Sequence, residues 1–461
     1  MTGDLPDPVP SHGPRPDPSP ALVPSLAPVP SPALASRRPL ASLLAAHTFA
    51  AAGNVVTLIT LPLYVLAETG SPAMAGVLAV ASTLPVVVGG AFGGVLVDRF
   101  GYRRSSVLSD LVGAATIGAI PILHVSVGVP IWALLALVFA TGLLDTPGQA
   151  ARTALVPEAA ALAAVPLERA MGWWGAAARG AMLVGAPLAG LLVAWLGPMP
   201  VLVVNAATFA VSAAVVAFGV PTWMRPAAGR ESPLAADDAA PRAGAAAGYW
   251  TDLAAGLRVL WRNRLLRAIT AMVLITNALD IGRSSVLLPV YAERELAGAT
   301  SLGLLVGASG LGMLAGALLF SAFGPALPRR ATFACGLLLG GSPLFLVLAL
   351  RPGLAWCLVA AVIAGLAAGS LNPILDTVML ELVPPSMRAR VFGVVNAGCW
   401  AAMPVGALVT GFLVEGFGLV VSLVGLGVAY LAVTLAPFLG SVWAGMDRRD
   451  HHVRSATSVD R

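Results

Sequence analysis

The chain has 461 residues, 58% of them hydrophobic and only 11% charged, with a net charge of +5. Soluble domains carry about 25% charged residues, so a water-soluble enzyme is excluded and a lipid bilayer is the expected surrounding. The three cysteines, Cys335, Cys357 and Cys399, lie in apolar runs without ligand spacing, so no disulfide, metal or other cofactor is expected.

Residues 1–38 repeat Pro with Asp, Arg and Ser. Proline at that density blocks helix and sheet, so a disordered cytoplasmic tail is expected, without the layout of a signal peptide. From Leu40 onward, apolar runs of about 20 residues recur, each able to cross a bilayer. They fall at 41–66, 72–97, 105–126, 129–146, 174–196, 199–220, 266–291, 300–324, 331–350, 353–375, 390–414 and 418–443. Lipid supplies no partner for backbone groups, so these runs must be helices. The fold class is therefore an all-α membrane protein with twelve transmembrane helices. A six-helix bundle over 39–220, a cytoplasmic linker over 221–263, a second bundle over 264–443 and a tail over 444–461 complete the division.

Arginines set the orientation. Arg37 and Arg38 precede helix 1, Arg99, Arg103 and Arg104 follow helix 2, and Arg152 and Arg169 follow helix 4. Seven more fill the central connection, and Arg329, Arg330, Arg388 and Arg390 continue the same alternation. The opposite loops hold only Arg294 and Arg351, so both termini are expected in the cytoplasm.

The halves echo each other. Leu61-Pro62-Leu63-Tyr64 returns 227 residues later as Leu288-Pro289-Val290-Tyr291, and the same shift sets Asp280 on Gly53 and Asn372 on Asp145. Gly190 to Gly197 resembles Gly411 to Gly418. Duplicated halves with a site between them near the midplane are a transporter design.

Between helices 2 and 3 stands Gly94-Val-Leu-Val-Asp98-Arg99-Phe-Gly101-Tyr102-Arg103-Arg104. A positive cytoplasmic loop alone explains the arginines, but not Asp98 at the membrane edge or Gly101 at the turn. The segment resembles the signature loop of the major facilitator superfamily, with Tyr102 in place of a basic residue. That resemblance implies two pseudo-symmetric six-helix bundles around a central cavity. It also implies a gating latch: Asp98 against the N-terminus of helix 11, where helix-end amides favour an anion, and Arg103 and Arg104 reaching carboxylates such as Asp145. The second copy, ending in Arg329-Arg330, has lost its acid.

In helix 5, Gly185, Pro187 and Gly190 resemble the superfamily's antiporter motif, although Ala186 interrupts it; generic small-residue packing is the alternative. Asp145 to Pro157 and Leu382 to Gly393 are similar to the branch containing macrolide and enterobactin exporters. That branch usually has Gly-Asp in helix 1, where this chain has Gly53-Asn54. Helix 4, read as ending near Leu144, carries no arginine of the kind other multidrug antiporters have.

Polar groups inside membrane helices are costly and usually functional. Helices 1, 4, 7 and 10 line the cavity in the family, so the resemblance makes Asn54, Asn277, Asp280 and Arg283 candidates for substrate or proton binding. Asp280 and Arg283, three apart on one helix face, can pair; Asp280 is then either a proton carrier or a fixed ion. His47 is a further candidate, although a lone histidine more often packs. Asp110 and Arg179 lie at similar depth and are read as an ion pair. The glycines from Gly310 to Gly316 imitate a dinucleotide motif without its strand, and a chain without lysine has no Walker lysine.

The expected function is secondary transport, as proton-coupled efflux of a small hydrophobic compound, drug-like or siderophore-like. Uptake of a metabolite, or a non-transporting sensor or scaffold, are the alternatives. A monomer in the cell membrane is expected, with a small-molecule substrate, protons and lipid as partners and no nucleic acid.

Overall fold

A computed structural model describes residues 36–224, 245–384, 387–439 and 441–447. The proline-rich tail, residues 225–244 of the central connection and the last residues of the chain lie outside the described residues. So do the side chains at 90–96, 98, 245–253, 325 and 389.

No strand occurs among the described residues, and twelve helical stretches are long and apolar enough to cross a membrane. The first six are single helices: α1 (Arg38–Thr69), α2 (Pro72–Phe100), α3 (Tyr102–Ser126), α4 (Ile131–Leu162), α5 (Leu167–Leu196) and α6 (Pro198–Gly219). The connection then holds α7 (Ala245–Arg262).

The seventh span is composite. It runs through α8 (Arg264–Gly282), a π-turn (Arg283–Leu287) and α9 (Leu288–Glu295). After α10 (Ala299–Phe323), the ninth span breaks at Gly341 into α11 (Arg329–Gly340) and α12 (Ser342–Ala349). The tenth comprises α13 (Leu354–Ala368) and α14 (Leu371–Leu382). Then come α15 (Arg388–Phe417), α16 (Leu419–Thr434) and α17 (Ala436–Leu439).

Local chemistry ends these helices. Gly101 has φ +81°, a conformation side chains with a Cβ rarely take, and it closes α2 and opens α3 within one residue. The internal repeat is visible at this level too. Gly197 (φ +79°, ψ +169°) and Gly418 (φ +82°, ψ +167°) make the same turn at the ends of α5 and α15.

Packing repeats as well. In the first half α1 packs on α5, α2 on α4, and α3 on α6. The second half answers with α8 on α15, α10 on α13, and α12 on α16. Two long contacts join the halves, α5 with α10 and α2 with α15.

These joints lie at the end away from the arginine-rich loops. A methyl group built on Gly190 would overlap the Ala299 carbonyl oxygen, and one on Gly303 that of Ala186. Gly76 is also tight against the Ala407 carbonyl oxygen, at 2.8 Å from such a methyl. At the same end Glu415 accepts hydrogen bonds from the Ser71 hydroxyl and, at 3.0 Å, from the Ala73 amide, so one half caps a helix of the other. One apolar core spans both halves here, from Ile59 and Leu63 to Tyr291 and Phe345. At the arginine-rich end each half closes its own core, around Leu155 and Trp174 in the first and around Phe333 and Trp443 in the second. The space between the halves therefore opens toward the arginine-rich end.

Two expectations need correction. Helix 4 does not stop near Leu144. It continues through Pro147 and Pro157 to Leu162, which carries Arg152 from an expected loop into the protein interior at 1% exposure. Proline's missing N–H is tolerated there because packing against α2 and α3 fixes the segment. The central connection, read as a linker throughout, contains α7.

Candidate functional site

Two polar clusters stand inside the helical bundles, one in each half. In the first, Arg152 of α4 places Nη1 2.7 and 2.6 Å from the two carboxylate oxygens of Asp110 on α3. The Ser212 hydroxyl of α6 donates to Asp110 Oδ2 at 2.6 Å, and Arg152 Nη1 also reaches that hydroxyl at 3.3 Å. Both charged side chains are essentially inaccessible to solvent. The second nitrogen, Nη2, lies 4.0 Å from Asp145, two turns back on α4. Asp145 in turn accepts from the Asn54 side chain of α1 at 3.2 Å, and it keeps 25% of its side chain exposed. Two carboxyls thus share one guanidinium.

His47 lies on α1, two turns before Asn54. Its ring stacks on Trp174 of α5, with centroids 3.8 Å apart and planes within 10°, and it is 4% exposed. Such contact is packing of an aromatic pair.

In the second half, Arg283 Nη2 lies 2.9 Å from Asp280 Oδ1, on successive turns of the seventh span. The Tyr430 hydroxyl of α16 donates to the other carboxylate oxygen at 3.3 Å. Arg283 also donates to the Gly340 carbonyl at 3.3 Å and sits over the Phe345 ring, 5.4 Å from its centroid. The π-turn begins at Arg283, and Leu288 N–H reaches back five residues to its carbonyl. Single π-turns of this kind are common at functional sites because they rotate the residues after them. Nearby Asn277 hydrogen-bonds the Cys399 thiol of α15.

Of the residues read from sequence, the structure brings Asn54 to Asp145 and Asp280 to Arg283. It does not bring Asp110 to Arg179. Arg179 is exposed on α5, and Asp110 binds Arg152 because α4 extends past Asp145 and turns that arginine inward. Nor do Arg103 and Arg104 reach Asp145. Arg103 donates to the Ala217 carbonyl of α6, and Arg104 and Arg99 are exposed. The side chains of Gly94 and Asp98 lie outside the described residues.

In helix 5, Gly190 and Pro187 face α10, where a methyl on Gly307 would meet Pro187 Cγ at 2.5 Å. Gly185 faces Val55 of α1 instead. Sequence reasoning missed Arg152, Ser212 and Tyr430. Arg152 had a usable signal, because seven residues from Asp145 is two turns on one helix face. Ser212 and Tyr430 had none, being ordinary residues of apolar helices.

Two duplicated six-helix halves, polar clusters within each and a space opening at one end define a membrane transporter. The family model of the Major Facilitator Superfamily matches residues 43–297 and 270–458, and the chain belongs to that family. A relative called multidrug efflux pump Tap, from Mycolicibacterium fortuitum, is 31% identical over 386 residues, 83% of this chain and 91% of the relative. Its namesake from Mycobacterium tuberculosis (strain ATCC 25618 / H37Rv) is 29% identical over 387 residues, 83% of this chain and 89% of that one. Among solved structures, the nucleoside transporter NupG superposes with a TM-score of 0.69 at 13% identity, covering 87% of this chain and 98% of NupG. A point mutant of the peptide transporter POT gives a TM-score of 0.67 at 17% identity, covering 89% of this chain and 95% of that one. The chain is thus a multi-pass membrane transporter and not an enzyme.

Proposed function

We propose that the protein exports small hydrophobic compounds from the cell in exchange for protons. It works in the cell membrane, as a monomer, with both termini cytoplasmic. The name shared by the relatives supports export, and the placement of arginines supports the orientation. The space between the halves then faces the cytoplasm, where an exporter loads.

One observation carries the coupling. The first half sets two carboxyls, Asp110 buried and Asp145 partly exposed, around a single buried guanidinium. Charge held away from water is costly unless it is paired. Asp110 occupies the guanidinium with both oxygens, so Asp145 is the surplus acid. The cluster is neutral when it carries one proton, and Asp145 is the acid that the cavity can reach. In the second half Asp280 and Arg283 balance one to one, and that cluster is neutral without a proton. Asp145 therefore carries the proton, while the Asp280–Arg283 pair, with Tyr430 and Phe345, forms the wall that contacts substrate. Release of the proton to the cytoplasm leaves the cluster charged and ready for substrate. Reloading from outside after export neutralises it and permits the return.

Proteoliposomes with an imposed proton gradient and a fluorescent hydrophobic dye test this. Asp145→Asn should lose uphill dye movement but keep downhill flux and dye exchange. Asp280→Asn should keep gradient-driven movement with a raised KM. Full uphill transport by Asp145→Asn would remove that residue from the coupling, and gradient-insensitive transport by the native protein would remove proton coupling itself.

A further inference from the structure

The connection between the halves contains a helix whose role the two polar clusters do not explain. Helix α7 presents two unlike faces. One buries Gly256 and Leu260 against the first turns of α15 and α8 and the end of α14. A methyl on Gly256 would lie 2.8 Å from the Arg390 carbonyl oxygen, so the helix axis passes very close to α15. Gly256 precedes the end of α7 by six residues, about 9 Å of helix. Contact is still made there, so α7 runs across the end of the bundle and not away from it.

The other face exposes Leu257 at 42% and Trp261 at 59%, together with Arg258 and Arg262; Arg264 and Arg267 follow at once, both exposed. From 254 to 267 the sequence contains no acid. Arg267 lies over the Trp261 ring, 5.6 Å from its centroid. Beside Arg264 a cavity of about 630 Å³ opens between the start of α8, the end of α14 and residues 441–446. Among the described residues, the one carboxylate lining it, Glu381, is paired with Arg329 at 2.7 Å.

A helix at the membrane edge with an exposed Trp and Leu between arginines is built for the headgroup layer. The apolar side chains enter the acyl boundary and the cations meet phosphate. We infer that the exposed face of α7 and the mouth of this cavity bind anionic phospholipid headgroups. The lipid then holds α7, and through Gly256 the first turn of α15, at the membrane surface. Because α15 packs on α2 of the other half, lipid charge would set how readily the halves move.

Brominated lipids quench nearby indoles, and the signal lost in Trp261→Phe isolates Trp261. In vesicles of phosphatidylcholine with a minor share of brominated phosphatidylglycerol, Trp261 should be quenched well above the share expected from random mixing. Brominated phosphatidylcholine at the same share should give no such excess. Each arginine near an anionic surface favours binding about fivefold, so the triple variant Arg258→Gln/Arg262→Gln/Arg264→Gln should weaken the preference on the order of a hundredfold. Dye exchange, which needs no gradient, should quicken with phosphatidylglycerol content in the native protein and not in the triple variant. Equal quenching by the two lipids, or a preference that survives in a correctly folded triple variant, overturns the inference. Neither result bears on proton coupling, because no proton gradient is applied.

Discussion

Arg152 is the most consequential side chain in the first half. It is fully buried, holds Asp110 by both oxygens and leaves Asp145 short of a partner. Breaking a buried pair from one side strands a charge and costs about 3–5 kcal/mol, whereas removing both partners costs much less. Arg152→Gln should therefore lower the unfolding temperature of detergent-solubilised protein markedly, because it leaves the buried Asp110 carboxylate without its cation. The double variant Asp110→Asn/Arg152→Gln should recover a large part of the loss. Additive losses in the double variant would mean that the two side chains do not depend on each other. Asp145→Asn, by contrast, removes the surplus acid and should leave the unfolding temperature near the native value while uphill transport is lost. The same residue shows where sequence reading stops. Arg152 is visible as a basic residue beyond the end of an apolar run, which places it in a loop, and only tertiary packing carries α4 through Pro147 and Pro157 to include it.

At the scale of elements, the spans themselves are legible because lipid imposes length and apolarity, and the match of Gly197 to Gly418 is a match of backbone conformation. The breaks at Gly341 and at the π-turn from Arg283 are not legible. Each depends on contacts between helices, such as the Tyr430 ring, which fills the space where a methyl on Gly341 would stand. The contact of α5 with α10 offers a direct test of element packing. Gly303 approaches the backbone of Ala186 and Gly190 too closely for any side chain. Gly303→Val must push the two helices apart at the end away from the arginines. Spin labels across that end should report longer distances, with the population shifted toward the state open on that side. Unchanged distances in a folded variant would mean that this joint does not hold the halves closed.

For the whole molecule, alternation between two openings requires that the seal away from the arginines break in every cycle. The seal has a polar component whose loss leaves no cavity. Glu415 of α15 is exposed and accepts from Ser71 and Ala73 at the start of α2, an anion at a helix N-terminus supplied by the opposite half. Glu415→Gln keeps the shape but gives up the charge, and Glu415→Ala gives up both. Each should raise the fraction of molecules open on that side, Ala more than Gln, with little change in unfolding temperature because the group is solvated. A stricter form of the test joins the two halves covalently. Ser71→Cys/Glu415→Cys, bridged by a short thiol cross-linker on a background lacking Cys335, Cys357 and Cys399, should stop transport and dye exchange together. Cleaving the linker should restore both. Transport that continues at the native rate through a bridged seal would mean that the halves do not part between α2 and α15, and that the molecule opens on that side by bending elements within one half.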